Sequence, residues 1–301
     1  MTPLQRYIAE EIATDHVDGL LTRREAMRRL ALLGMGTAAA TALIAACGDQ
    51  HGSADKATSS TASVVPGPPP GMENALETTA MTWDGPTGKL QGAWAQAQQP
   101  RGAVLVIHEN KGLTDWVRSV VGRLAGVGYS ALAVDLLSAQ GGTAAFVDPA
   151  QATAALGKIA PEQFVAGMRS GIDELQNLAP GVKVGIVGFC MGGGLVWQLL
   201  AAGEPRLAAA SPFYGPLPDN HDFSASKQAA VLAFYGAKDQ RVTSTKDAAQ
   251  AALNQAGMVN QIVVEPDADH AFFNDGGPRY NAAAAADAWQ KLQDWFAKNL
   301  S

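Results

Sequence analysis

The stretch Val-Lys-Val-Gly-Ile-Val-Gly-Phe-Cys-Met-Gly-Gly-Gly, residues 182–194, decides the fold class of this 301-residue chain. Residues 182–187 are typical of a buried strand, and residues 191–201 of a helix that begins directly after it. Between them, Gly188-Phe189-Cys190-Met191-Gly192 has the spacing of a G-x-S-x-G nucleophile turn with cysteine in place of serine. Its glycines allow close approach of strand and helix, and the helix N-terminus favours a thiolate. The pattern predicts that Cys190 is a nucleophile rather than a buried structural cysteine.

Apolar strands and helices alternate on both sides of this turn, from residue 76 to the end of the chain. The first two strands, at 77–83 and 89–95, flank a predicted hairpin turn at 84–88. Further strands are predicted at 103–108, 129–134, 207–214, 229–235 and 259–265, with helices at 114–127, 161–178, 243–256 and 281–299. Strands separated by helices predict an α/β fold, a mostly parallel twisted sheet with helices on both faces. Functional groups are expected beyond the carboxyl ends of its strands.

An acid and a base follow the nucleophile in the order that this kind of turn requires. Asp239 comes just after the predicted strand at 229–235, and His270 lies in the loop before the last helix. We expect His270 to take the proton of Cys190 and Asp239 to orient the imidazole. Other polar candidates are predicted to have structural or loop roles: Asp135, His221, Asp267 and Asp269.

The first 47 residues predict a leader peptide. Thr22-Arg23-Arg24-Glu25-Ala26-Met27-Arg28 resembles a twin-arginine export signal, and residues 30–46 carry no charge. Ile44-Ala45-Ala46-Cys47 looks like a lipobox, which predicts a lipid on Cys47; an uncleaved apolar helix is the alternative. We expect a signal peptide at 1–47, a flexible linker at 48–71 and a hydrolase domain at 72–301. The exported protein would be a periplasmic or cell-surface lipoprotein anchored to a membrane.

Composition excludes some classes of function. The chain is 47% hydrophobic and 17% charged with a formal net charge of −6, so it can bury a core but lacks a basic nucleic-acid footprint. Its five histidines and two cysteines show no metal-ligand spacing. We therefore expect no metal, no cofactor and no nucleic-acid partner, and we expect a monomer.

Four motifs resemble those of the dienelactone hydrolase (carboxymethylenebutenolidase) family of the α/β-hydrolase superfamily. They are His108-Glu109-Asn110-Lys111-Gly112-Leu113, Gly188-Phe189-Cys190-Met191-Gly192-Gly193, Tyr235-Gly236-Ala237-Lys238-Asp239 and His270-Ala271-Phe272-Phe273-Asn274. The resemblance implies an α/β-hydrolase fold and cleavage of a small ester or lactone through an acyl-enzyme. It also implies that Glu109 binds the resting thiol, and that the backbone N–H groups of Met191 and Asn110 form the oxyanion hole.

The substrate stays open. Family members that cleave dienelactone bind its carboxylate with two arginines, but Asn274 stands where one is expected, and residues 141–159 contain only Lys158 as a basic residue. Arg279 is a candidate to bind a substrate anion or to clamp its loop. Trp116 is a candidate pocket residue, with core packing as the alternative. A lipid-anchored binding or redox protein on this scaffold, or an acyltransferase, remain alternative functions.

Overall fold

The computed structural model describes residues 1–51 and 68–301, and the side chains of 1–48 and 68–301. Most of the linker predicted at 48–71 lies outside the described residues. Eight strands form one sheet in the order β1-β2-β4-β3-β5-β6-β7-β8, antiparallel at the β1-β2-β4 edge and parallel elsewhere. The strands are β1 (Thr79–Gly85), β2 (Gly88–Ala95), β3 (Gly102–Ile107), β4 (Tyr129–Asp135), β5 (Val184–Phe189), β6 (Leu207–Phe213), β7 (Ala230–Gly236) and β8 (Asn260–Glu265).

Helices cover the sheet because the central strands are apolar at every position. All residues of β3, β5 and β7 are buried, which requires cover on both faces of the sheet. The predicted mostly parallel α/β fold is confirmed. The helices are α1 (Pro3–Val17), α2 (Arg23–Leu32), α3 (Thr37–His51), α4 (Asp115–Gly126), α5 (Pro149–Leu156), α6 (Pro161–Leu178), α7 (Met191–Ala201), α8 (Gln240–Thr243), α9 (Lys246–Gln255) and α10 (Ala282–Asn299).

Two predicted boundaries are wrong. The hairpin turn is shorter than 84–88, since Gly85 pairs with Gly88 and only two residues connect β1 to β2. The helix predicted at 243–256 is α9, which begins three residues later, and a separate short helix, α8, precedes it. Asp239 causes the early start of α8, because its side chain accepts a hydrogen bond from the backbone N–H of Val242.

The N-terminal segment is helical and packs against the body of the protein. Sequence reasoning did not predict α1, whose Ile8 and Ala13 are completely buried, and α2 buries Leu30 in the same core. The uncharged run at 30–46 is not one helix, because α2 ends at Leu32 and α3 begins at Thr37. No helix in the described part of the chain is both long and apolar enough to span a bilayer.

Candidate active site

Cys190 sits in a strained turn between β5 and α7. Its backbone has φ 55° and ψ −119°, a conformation that L-residues rarely adopt outside functional sites. The turn depends on glycine, because a Cβ on Gly188 would lie 2.2 Å from the carbonyl oxygen of Gly192. The sulfur receives the backbone N–H of Met191, the first residue of α7. This local geometry matches the turn that the glycine spacing predicts.

His270 and Asp239 form a buried pair at the same end of the sheet. The Nδ1 atom of His270 lies 2.6 Å from Oδ2 of Asp239, a distance typical of a charge-assisted hydrogen bond. Burial alone would lower the pKa of His270, but the charge and the hydrogen bond of Asp239 outweigh it and raise that pKa above its usual value. Burial works against ionisation of Asp239 too, yet His270 holds the pKa of this carboxyl below its usual range. The Asp239 contact therefore fixes the orientation of the imidazole through Nδ1 and leaves Nε2 as its other polar atom.

Two side chains of α1 contact Cys190. The hydroxyl of Tyr7 lies 3.3 Å from the Cys190 Sγ and 3.3 Å from the Nε2 of His270. The thiol donates to the carboxylate of Glu11, whose oxygens lie 3.5 and 3.6 Å from Sγ. Sγ, a ring nitrogen of His270 and a Glu11 oxygen all lie within 4.8 Å of one another, a spacing compatible with a metal ion, but the Tyr7 hydroxyl already contacts both Cys190 and His270.

The thiol of Cys190 is held protonated by its surroundings. Burial is the main cause of a pKa well above the usual value, and the negative charges of Glu11 and Glu109 raise it further. The hydrogen bonds from Tyr7 and from the Met191 N–H act in the opposite direction but are weaker. A reactive thiolate therefore needs a change in this environment or the transfer of its proton to His270.

Glu109 lies at the carboxyl end of β3 and does not make the contact that the resemblance implied. Its Oε2 accepts a hydrogen bond from the Nδ2 of Asn274 at 2.7 Å, and its Oε1 is buried without a partner among the described residues. The thiol donates to Glu11 instead, because α1 presents a carboxylate directly at the sulfur. Burial raises the pKa of Glu109 to about 7.

The predicted oxyanion-hole donors lie on two neighbouring elements. Asn110 follows β3 and Met191 begins α7, and neither backbone N–H donates to a carbonyl or carboxylate oxygen within the described ranges. The carbonyl of Asn110 accepts a hydrogen bond from the hydroxyl of Thr153, which holds this loop. Two amide donors from neighbouring elements suit a developing oxyanion.

The two tentative substrate residues differ in position. The guanidinium of Arg279 donates to Asp15 at 2.7 Å and to Asp18 at 2.6 Å, so the carboxylates of α1 occupy it. Trp116 is partly buried and packs its ring edge-on against Phe189, and it is not among the residues that line the described part of the cavity, so its role in substrate binding stays a prediction. Its alternative assignment to core packing fits this contact.

A cavity of about 200 Å³ adjoins Cys190. Cys190, His270 and Glu109 form one side of it, and residues of α1 and α2 form the opposite wall. The sequence predicts an active site formed by residues 72–301 alone. In the structure, residues of the first 33 also line this cavity, among them Glu11, Asp15 and Leu33.

Sequence reasoning missed Tyr7, Glu11, Tyr214 and Arg241. Tyr214 follows β6 and has a φ of 37°. Its ring is oriented edge-on to the imidazole of His270, with 5.2 Å between the two ring centroids. The Arg241 guanidinium lies over the ring of Tyr7, 4.4 Å from its centroid. The i,i+4 spacing of Tyr7 and Glu11 indicates that both lie on one face of a helix. The leader-peptide interpretation of this segment does not use that signal.

The sheet order, the strained nucleophile turn and the buried His–Asp pair define an enzyme of the α/β-hydrolase class. The sequence profile of the dienelactone hydrolase family matches residues 90–300, and the chain belongs to this family. It is therefore a hydrolase of the carboxylic-ester type.

Individual relatives agree with this assignment. The chain is 35% identical over 213 residues to a Methylorubrum extorquens protein named "Putative carboxymethylenebutenolidase", covering 65% of this chain and 72% of that protein. An Escherichia coli K12 protein of the same name is 32% identical, covering 67% and 78%. Among solved structures, a "Putative Dienelactone Hydrolase" from Klebsiella pneumoniae superposes with a TM-score of 0.64 at 30% identity, covering 73% of this chain and 99% of that one.

Proposed function

We propose that the protein hydrolyses a small ester or lactone with Cys190 as nucleophile, His270 as general base and Asp239 as the residue that orients the imidazole. The observation that carries this proposal is the 2.6 Å contact between His270 Nδ1 and Asp239 Oδ2, with a nitrogen of the same ring within 4.8 Å of the Cys190 sulfur. Burial of all three groups excludes water and strengthens their electrostatic coupling.

The reaction proceeds through an acyl-enzyme. Sγ attacks the carbonyl carbon while its proton passes to Nε2 of His270, and the backbone N–H groups of Met191 and Asn110 stabilise the oxyanion. Collapse breaks the C–O bond, and the imidazolium returns its proton to the leaving oxygen, giving an alcohol or the hydroxyl end of an opened lactone. Water then attacks the thioester, His270 takes its proton, and breakage of the C–S bond regenerates the thiol and releases the acid.

The cavity supports a small substrate. Its volume of about 200 Å³ is below the ~300–1,000 Å³ of typical ligand pockets. Its lining combines three acidic residues (Glu11, Asp15 and Glu109) with three basic ones (Arg29, Lys111 and Arg279), so the size of the cavity and not the sign of its charge limits the substrate. Short-chain esters and small lactones are therefore the preferred substrate class.

The test is hydrolysis of p-nitrophenyl acetate by the full chain and by Cys190→Ala. We expect a loss of at least about a thousandfold in kcat/KM, as for removal of a triad nucleophile. Cys47→Ser is the matched control, since it removes the other cysteine and should keep full activity. Retention of activity in Cys190→Ala would contradict the nucleophile assignment, and formation of a transfer product with an added alcohol would favour the acyltransferase alternative.

We further propose that the chain is exported and lipidated at Cys47. Arg23 and Arg24, the pair of the export-signal pattern, are both exposed on α2 and accessible to a receptor. Mass spectrometry of the protein from a native membrane fraction would find an N-terminus at residue 47 carrying a lipid. A soluble protein that retains Met1 would contradict this proposal.

A further inference from the structure

Three side chains of one helix contact groups that the proposed reaction would use. Within the described residues, Tyr7 of α1 contacts both Sγ of Cys190 and Nε2 of His270, and Glu11 accepts the thiol hydrogen. One turn further, Asp15 binds the guanidinium of Arg279. The side chains at positions 7, 11 and 15 share one helix face, because residues four apart lie one turn from each other.

We infer that α1 is an intramolecular inhibitor that occupies the active site and holds the Cys190 thiol unreactive while the N-terminal segment remains attached. This inference rests on the proposed roles of Cys190 and His270. It concerns the first 33 residues, which the family profile at 90–300 does not include.

The position of the Tyr7 hydroxyl is the first argument. It hydrogen-bonds to both sulfur and Nε2, so it occupies the place where the thiol proton would pass directly to the imidazole. The ring is held there by burial and by the cation–π contact with Arg241. With α1 in place, Cys190 and His270 are only 2% and 5% exposed.

Charge is the second argument. The Glu11 carboxylate lies beside the sulfur, and a second anion there, a thiolate, would be repelled by it at short range. Glu109 adds another negative charge near the sulfur and raises the pKa of the thiol in the same direction. Two cationic groups contact α1, and neither is placed at the sulfur: Arg241 lies over the ring of Tyr7, and Arg279 binds Asp15.

Attachment of α1 is the third argument. Arg279 joins Asp15 and Asp18, and Arg28 of α2 joins Asp148 at the start of α5. Ile8, Ala9 and Leu30 are buried in the main core, so the two helices pack as part of the fold. Cleavage before Cys47 would separate α1 and α2 from the hydrolase body. Removal of the predicted leader would therefore also remove the inhibitor and activate the enzyme.

The experiment measures two rates on the full chain in a Cys47→Ser background, where Cys190 is the only thiol. The first is alkylation of Cys190 by iodoacetamide at pH 7.5, followed by mass spectrometry. The second is hydrolysis of p-nitrophenyl acetate. Glu11→Gln removes one charge, Tyr7→Phe removes only the hydroxyl and keeps the ring over Arg241, and a double Tyr7→Ala, Glu11→Ala variant empties the site. Glu10→Gln is the matched control, with the same charge change one residue away.

We expect both rates to rise at least about tenfold in Glu11→Gln and further in the double variant, because the thiolate fraction increases tenfold for each unit by which the thiol pKa falls. Glu10→Gln should stay within twofold of the parent. Circular dichroism checks folding, and Tyr7→Phe serves if the double variant does not fold.

Unchanged alkylation in Glu11→Gln and Tyr7→Phe would overturn the inference. So would faster alkylation with slower hydrolysis, since Tyr7 and Glu11 would then assist the reaction. Failure of the proposed function looks different: hydrolysis would persist in Cys190→Ala, whereas the alkylation rates would still report whether α1 shields the sulfur.

Discussion

Replacement of Asp239 by Asn is the sharpest test of the site's electrostatics. The substitution keeps the shape of the side chain but removes the charge 2.6 Å from Nδ1 of His270, in a pair that is 6% and 5% exposed. The carboxylate stabilises the imidazolium that forms as the thiol loses its proton, and it raises the pKa of His270 against the effect of burial. Without it, burial dominates and the pKa of His270 falls.

The expected loss of activity follows from this contact. Loss of the corresponding acid in a serine triad lowers kcat by about ten-thousandfold. Because a thiol ionises more easily than a hydroxyl, we expect kcat to fall by about a hundredfold to ten-thousandfold, or ~3–5 kcal/mol. Because His270 must be neutral to accept a proton, the acidic limb of the kcat/KM profile should move to lower pH in Asp239→Asn.

The assay is the kcat/KM profile for p-nitrophenyl acetate between pH 5 and 9. Asp267→Asn is the matched control: Asp267 is exposed, lies in the same loop as His270, and has φ 58°, which asparagine tolerates. We expect this control to keep the parental profile. The reasoning fails if Asp239→Asn stays within threefold of the parent, or if its acidic limb moves to higher pH.

Three further predictions concern stability and the turn. Glu109→Gln should stabilise the fold by about 2–3 kcal/mol above pH 7, and this gain should shrink toward pH 5. The pKa of the Glu109 carboxyl is raised to about 7, so its contribution to stability is present below its usual pKa of 4.5 and is lost as the pH rises through 7. Urea unfolding that shows an equal gain at every pH would contradict this prediction. Arg123→Met should cost about 3–5 kcal/mol in the same assay, because it leaves the Asp275 carboxylate without its 2.9 Å partner, and Asp275→Asn in that background should recover part of the loss. Gly188→Ala should lower kcat/KM at least about a hundredfold, since its Cβ would displace the carbonyl of Gly192; parental activity would exclude the close approach.

Much of the hydrolase body could be predicted from local patterns. Continuous apolar runs identified the buried strands, and the order of Cys190, Asp239 and His270 placed each at the end of a parallel strand. The structure brings Asp239 and His270 into contact because β7 and β8 are neighbours whose carboxyl ends meet at one edge. Glu109 and Cys190 both lie at this edge for the same reason, since β3 pairs with β5, although the two side chains are not hydrogen-bonded to each other.

The first 33 residues show what sequence could not decide. The export prediction uses an arginine pair at 23–24, together with the uncharged run at 30–46 and Cys47 that follow it. These are properties of neighbouring residues, which local sequence patterns can reveal. Whether Tyr7 contacts Cys190, 183 positions later, depends on how α1 packs against the ends of the strands. The sequence alone determined the fold class, the nucleophile turn and the order of the polar residues, because these follow from periodicity and spacing. Only tertiary structure decided which carboxylate meets the sulfur and what closes the cavity, because these contacts join segments that no local pattern connects.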